Sequence, residues 1–267
     1  MFSKKICRKN GKGADRDVWI WKKIPILKLR KKASNELIFL SDYIYRHVFL
    51  GYTQKQWDLI PEELDASVTA RVPVYVSRDN RYFQDSYQAI PQNGYTDMFK
   101  NILNHPNIHI LLNTDYREII DDITFNKMIY SGPLDAYYDY IHGELPYRTL
   151  TFELKNIEQE KFQQAGIVTY PNIYSFTRIT EFKYLTGQFS PSTTVAYEFP
   201  QKHKPGKTEP YYPVPRQENR MIYSRYKKET DKLKGRVIFA GRLADYSYYN
   251  MNQAVARALS VFEKEII

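Results

Sequence analysis

Apolar and polar positions along the chain change period several times, and each change marks an element. From Asn35 the apolar residues Leu37, Leu40, Ile44 and Val48 recur at nearly helical spacing, which predicts a helix with these side chains in the core and Gly51 as its stop. Thr96 to Leu103 predicts a short helix, Ile108 to Leu112 a strand, and Lys127 to Ser131 a second strand ending at Gly132-Pro133 before a tyrosine-rich turn of helix. Alternation then takes over. Tyr147 to Leu154, Ile167 to Tyr170, Arg178 to Phe182 and Thr193 to Phe199, each bounded by polar, glycine or proline residues, predict an antiparallel sheet. Gln217 to Lys234 reads as a charged helix exposed on one side. Val237 to Ala240 reads as a short buried strand running into Gly241, and Asn250 caps a helix with Val255, Leu259, Phe262 and Ile266 as its apolar stripe. A strand feeding a glycine turn and a helix amino terminus favours negative charge or electron-rich atoms at that end. The mixture predicts an α/β fold with α+β character, an antiparallel floor beneath a helical roof.

Residues 1–32 keep no period. Trp19 and Trp21 alternate with Val18 and Ile20 over too short a span to define a strand, and no stable element is expected there. Gly11-Lys12-Gly13 lacks both a preceding strand and a third glycine opening a helix, so the dinucleotide-binding fingerprint is absent. Charge concentrates in the same region. Residues 1–33 hold twelve of the 39 Lys and Arg against two of the 30 Asp and Glu, leaving 27 against 28 for the rest. The net +9 therefore belongs to a basic arm, read as a solvated tail on a nearly neutral body, and nucleic acid is not an expected partner.

A length of 267 residues with 43% hydrophobic content can furnish a packed core in one large or two smaller domains. No apolar run reaches the roughly 18–20 residues that cross a bilayer. The single cysteine, Cys7, fits a reducing compartment, and the cytosol is the expected location.

Between Tyr43 and Tyr87 aromatics and arginines recur with no secondary-structure period, which suggests a site. Tyr52 and Trp57 lie five apart, nearly on opposite faces of one continuous helix, so a bend or mobile segment is expected between them. Their flat rings suit a nucleobase. Arg71 and Arg81-Tyr82 bring guanidinium forks to the same stretch, and a fork matches a phosphate better than an ammonium does. Together they read as a receptor for a nucleotide diphosphate. His47, His105, His109, His142 and His203 are scattered without triad or metal-ligand spacing and are read as structural, and no metal site is expected.

Several blocks are specific. VFLGYTQKQW, PEELDASVTARVPV and DNRYFQDSYQAIPQNGYTDMF are followed in order by IYSGPLDAYYDY, LPYRTLTFE, FTRITEFKY, EPYYPVP and VIFAGRLADYSYYNMNQAVARAL. From about Ser41 onward the chain resembles the UDP-galactopyranose mutases, flavoenzymes that interconvert the pyranose and furanose forms of UDP-galactose. The resemblance implies reduced FAD as cofactor, its N5 attacking the anomeric carbon to give a flavin–sugar adduct, while UDP leaves and returns, in the making of cell-surface polysaccharide. It implies catalytic roles for Arg71 and Arg178 on the UDP phosphates. Tyr52 and Trp57 would belong to a mobile substrate-covering segment. Tyr82, Tyr211, Tyr212 and Tyr248 would contact the diphosphate or sugar, and Arg148, Arg242, Tyr248, Asn250 and Met251 would lie toward the flavin.

Two blocks depart from the family pattern. Asn250 stands where the family has aspartate, and Asp139-Tyr140-Ile141-His142-Gly143 replaces DYRFG. The family also opens on a strand, a glycine-rich turn and a helix for the adenine end of FAD, and nothing at the start of this chain matches. The expectation is the carboxy-terminal two-thirds of a mutase with an incomplete Rossmann-like FAD-binding domain, active as a homo-oligomer or completed by an amino-terminal polypeptide. The boundaries expected are a basic arm (1–33), a helical substrate-lid region (34–93), a mixed substrate-binding region (94–235) and a strand-turn-helix of the FAD domain (236–267). A UDP-sugar-binding remnant without flavin is the alternative.

Overall fold

The apolar period that begins at Leu37 does fold into helix, but the helix runs past Gly51. The computed structural model describes residues 23–32, 35–75, 77–79 and 81–267, so the reading of the glycine pair and of Trp19 and Trp21 lies outside the described residues. Strand β1 (Lys23–Ile24) and helix α1 (Ile26–Lys32) lead into α2 (Asn35–Ile44), a π-helical stretch (Tyr45–Leu50) and α3 (Gly51–Trp57). The expectation of no element before Lys32 is thus corrected for residues 23–32. Ile26 and Leu29 are buried against Leu37 and Tyr45, and burial of that stripe supplies what the short helix lacks by itself.

Gly51 keeps right-handed helical angles, and the chain turns out only at Asp58, which adopts φ 59° and returns its N–H to the Gln54 carbonyl at 2.8 Å. The wider π-turn shifts the buried stripe onto Tyr45 and leaves Val48 exposed, correcting its place in the core. Gly51 is needed for a different reason. A Cβ there would lie 2.4 Å from the Pro171 carbonyl oxygen and 2.6 Å from Asn172 Oδ1, so the helix crosses the 170–177 loop at backbone distance.

Asp65 opens α4 (Ala66–Ala70) by accepting the Ser67 N–H at 2.9 Å, and β2 (Val74–Tyr75) pairs antiparallel with β1. Helices α5 (Gly94–Leu103) and α6 (Tyr116–Ile119) follow. The strand expected at Ile108 to Leu112 does not form. No strand among the described residues pairs with it, its apolar side chains stand in solvent, and alternation alone cannot satisfy a strand's N–H and C=O groups.

β3 (Met128–Tyr130), α7 (Leu134–Tyr137), β4 (Tyr147–Ile157), β5 (Ile167–Thr169), β6 (Arg178–Glu181), α8 (Phe182–Thr186), β7 (Thr193–Lys202), β8 (Tyr212–Pro213), α9 (Gln217–Asp231), β9 (Val237–Phe239) and α10 (Met251–Val261) complete the order. The alternating segments form one antiparallel sheet in the order β5-β6-β7-β4-β8, while β3 and β9 form a separate parallel pair. The fold is a mixed α/β arrangement in which the antiparallel sheet is the largest piece. Its main core joins α7, β4, α9 and β9 through Leu134, Tyr147, Tyr226, Val237 and Phe239. The Tyr226 hydroxyl donates to the Gly143 carbonyl at 2.7 Å and accepts the His142 N–H at 3.0 Å, tying α9 to the turn before β4. On α10 Val255 and Leu259 face solvent, as does Phe262 just beyond it, and only Val261 in that helix is buried.

Candidate functional site

Strand register builds the first half of the site. Arg178 at the start of β6 lies directly across from Glu198 on β7, and its Nε donates to Glu198 Oε2 at 2.7 Å. Glu198 is 5% exposed, and its other oxygen accepts the Thr177 hydroxyl at 3.1 Å. Burial opposes the charge on Arg178, but the hydrogen bond and charge of Glu198 outweigh it and hold the guanidinium firmly protonated.

Helix α3 supplies two further rings. Tyr52 and Trp57 stand on the same short helix, so no bend separates them, a correction to the expected break. Burial pushes the Tyr52 hydroxyl up in pKa. Arg178 pulls it down, and Glu198, Tyr248 and Tyr212 add to the rise, which places the hydroxyl within electrostatic reach of all four. Trp57 is buried with Leu64 and Val214, its indole 6.1 Å from the Tyr212 ring and 5.6 Å, edge-on, from Tyr248. It forms part of the floor of the cleft.

The second half comes from α4 and the turn before α10. Arg71 lies with its Cζ 3.8 Å above the Tyr248 ring and donates through Nη2 to the Asn250 side-chain oxygen. Asn250 in turn opens α10, its backbone N–H reaching Gln253 Oε1 at 2.8 Å. Tyr212 and Tyr248 meet edge to face at 5.0 Å, and Arg242 lies 5.3 Å and 5.4 Å from their ring centres. Arg242 is fastened by the Tyr211 carbonyl at 3.3 Å and the Tyr249 carbonyl at 2.5 Å. Burial pushes the Tyr212 hydroxyl up to about 12.

Tyr82 is 69% exposed; desolvation raises its hydroxyl pKa, and the charges of Arg71 and Arg178 both act to lower it. A hollow of about 270 Å³ adjoins Arg71 and Tyr248, walled also by Val68, Pro215 and Gln253. Cations above and aromatic faces around them can hold a flat ring attached to an anion.

Of the other residues named from sequence, Arg148 stands apart from this space. It is buried beneath α3, where Nε and Nη2 donate to the Gln56 and Lys55 carbonyls at 2.8 and 3.1 Å, satisfying the end of the helix. Met251 is exposed at the first turn of α10, and the Tyr211 main chain pairs with Arg148 at the sheet edge. Glu198 was missed, because its signal exists only once β6 and β7 are in register. No group of three or more potential metal ligands occurs among the described residues.

Fold and site define a mixed α/β protein in which Arg71 and Arg242 lie against the edge-to-face pair of Tyr212 and Tyr248. A family model described as UDP-galactopyranose mutase matches residues 47–248, and the chain belongs to that family. It is 36% identical over 230 residues to a probable UDP-galactopyranose mutase of Klebsiella pneumoniae, covering 85% of this chain and 59% of that protein. It is 35% identical over 229 residues to a dTDP-fucopyranose mutase of Escherichia coli, with 84% and 60% covered. A UDP-galactopyranose mutase of Mycoplasma genitalium is 32% identical over 231 residues, with 81% and 57% covered. The chain thus spans about three-fifths of the length of these relatives. A crystal structure of reduced UDP-galactopyranose mutase shares the fold, with TM-score 0.60 at 12% identity over 98% of this chain and 73% of the other.

Proposed function

We propose that the chain acts as a UDP-galactopyranose mutase, an isomerase that grips UDP-galactose between Arg71 and Arg178. The observation that carries this reading is how the two arginines are presented: Arg71 lies 3.8 Å over the Tyr248 ring, and Arg178 is held at Nε by the buried Glu198, which leaves its terminal nitrogens free among the described residues. A diphosphate leaving an anomeric carbon gains negative charge, and two guanidinium groups flanking it stabilise that charge where it develops. Tyr52 supplies a ring for the base, and Tyr248, backed by Trp57, shapes the wall for the sugar. Tyr82 and Tyr212 keep their protons and so offer O–H donors to phosphate oxygens rather than competing charge.

Flavin, when bound, supplies the nucleophile toward the anomeric carbon. The residues present fit the ring end of such a group. The amino terminus of α10 and the cationic Arg242 face the Tyr212–Tyr248 pair and favour electron-rich atoms. Arg242, Tyr248, Asn250 and Met251 would hold that end. No helix among the described residues is long and apolar enough to cross a membrane, and the single cysteine suits work in the cytosol.

The purified chain should show flavin absorbance and convert UDP-galactofuranose to UDP-galactopyranose when reduced with dithionite. Arg71→Ala and Arg178→Ala should each weaken UDP binding by about 10- to 100-fold, the range set by losing a hydrogen bond between charged partners. UDP affinity untouched by either change would sink the assigned cleft. UDP binding without flavin would support a sugar-nucleotide-binding protein instead. Parallel assays with dTDP-fucose decide between the substrates named for the two most similar relatives described above.

A further inference from the structure

The two arginines are held in different ways. Arg71 is exposed and, among the described residues, its guanidinium contacts neutral groups, the Tyr248 ring and the Asn250 amide. Arg178 is clamped at Nε by the Glu198 carboxylate, and its two terminal nitrogens make no hydrogen bond among the described residues. The clamp is itself fixed from behind. Thr177, fully buried, donates its hydroxyl to Glu198 Oε1 and its backbone N–H to the Glu198 carbonyl at 2.9 Å, so the carboxylate cannot swing without giving up its bonds to the Thr177 hydroxyl and to Arg178.

A guanidinium bound at Nε by one carboxylate oxygen keeps its outer edge free and its plane set. That edge is the one a diphosphate would meet. We propose that Glu198, seated on Thr177, is a positioning residue that fixes which edge of Arg178 faces the diphosphate. The proposal rests on Arg178 being a diphosphate contact. A carboxylate serving only to neutralise a buried arginine would behave differently, because removing its charge would leave the site more cationic and UDP more tightly held.

Titration calorimetry with UDP on the full chain separates these cases. Glu198→Gln keeps the size and removes the charge that fixes Arg178. It should weaken UDP about tenfold, and the same change made on Arg178→Ala should alter affinity by less than about twofold, since interacting residues fail to add. Equal or tighter binding by Glu198→Gln overturns the proposal, as does an equal loss in the Arg178→Ala background. If Arg178→Ala leaves UDP affinity unchanged, the mutase reading of the cleft fails instead. Should Glu198→Gln not fold, Thr177→Val removes the hydroxyl behind the carboxylate. A smaller loss of affinity that vanishes without Arg178 supports the proposal, and unchanged affinity rejects it.

Discussion

At the scale of single residues, Asn250 is the position where this chain differs most usefully from the family pattern. Its amide accepts from Arg71, and the bond lies at the exposed edge of the cleft. The donor is already a charged guanidinium, and an aspartate would make the acceptor charged as well, giving an ion pair worth up to about 1 kcal/mol more at this exposed edge. Arg71 would then stay over Tyr248 in competition with the diphosphate. Asn250→Asp is expected to raise the dissociation constant for UDP by about three- to tenfold at low salt, with the gap narrowing as salt screens the exposed pair. Calorimetry at two ionic strengths checks this, and identical affinities at both would remove Asn250 from control of Arg71. Arg71, Arg178 and the tyrosines around them could be picked out in the sequence because their types and blocks are distinctive. Glu198 could not, since an acidic residue in an alternating strand looks like any solvent-facing one until its cross-strand neighbour is known. Arg148 carries the opposite lesson: its block pointed toward the cofactor, while its side chain lies buried against the carbonyls that end α3.

At the scale of elements, periodicity located helices and strands well and their limits poorly. The alternation of four segments became the antiparallel sheet, with buried and part-buried positions alternating along β6 and the long β4–β7 pairing carrying the rest. Gly51 was read as a stop because glycine commonly ends helices, whereas its reason is tertiary and belongs to the 170–177 loop. That difference can be measured. Gly51→Ala gains about 1 kcal/mol of helix propensity. The new methyl, however, would sit 2.4 Å from the Pro171 carbonyl, a backbone atom with no side-chain rotamer to yield. Overpacking of this kind costs about 1–3 kcal/mol. The expected outcome is therefore a lower urea midpoint together with weaker UDP binding, because Tyr52 sits on the next residue of the displaced helix. A raised midpoint would mean that α3 can step away from the loop at no expense. The segment 108–112 failed for a related reason. Its pattern is that of a strand, but pairing is a property of two segments, and the second is not among the described residues.

Across the whole molecule, tyrosine is the residue type through which stability responds to alkaline pH. The chain carries 24 of them, and they join the main core, the sheet and the cleft. Burial, the largest cause in each case, pushes Tyr45, Tyr138, Tyr212 and Tyr223 up to about 12 from an ordinary 10.0. Tyr52, Tyr147 and Tyr246 are raised further, again first by burial. A raised pKa means that the folded chain keeps protons which the unfolded chain has begun to release. The stabilisation is therefore fully present below pH 10.0 and is lost as pH rises through the folded values near 12. The melting temperature should hold level up to about pH 9.5 and fall steeply above pH 10, with tyrosinate absorbance appearing together with loss of the near-ultraviolet circular dichroism. The cleft follows the same rule, since Tyr82 and Tyr212 donate to phosphate only while protonated, and so UDP binding should fail no earlier than the fold does. Gradual tyrosinate formation around pH 10, with circular dichroism intact, would show that water reaches these rings, and the cleft would then lose its neutral donors before the protein unfolds.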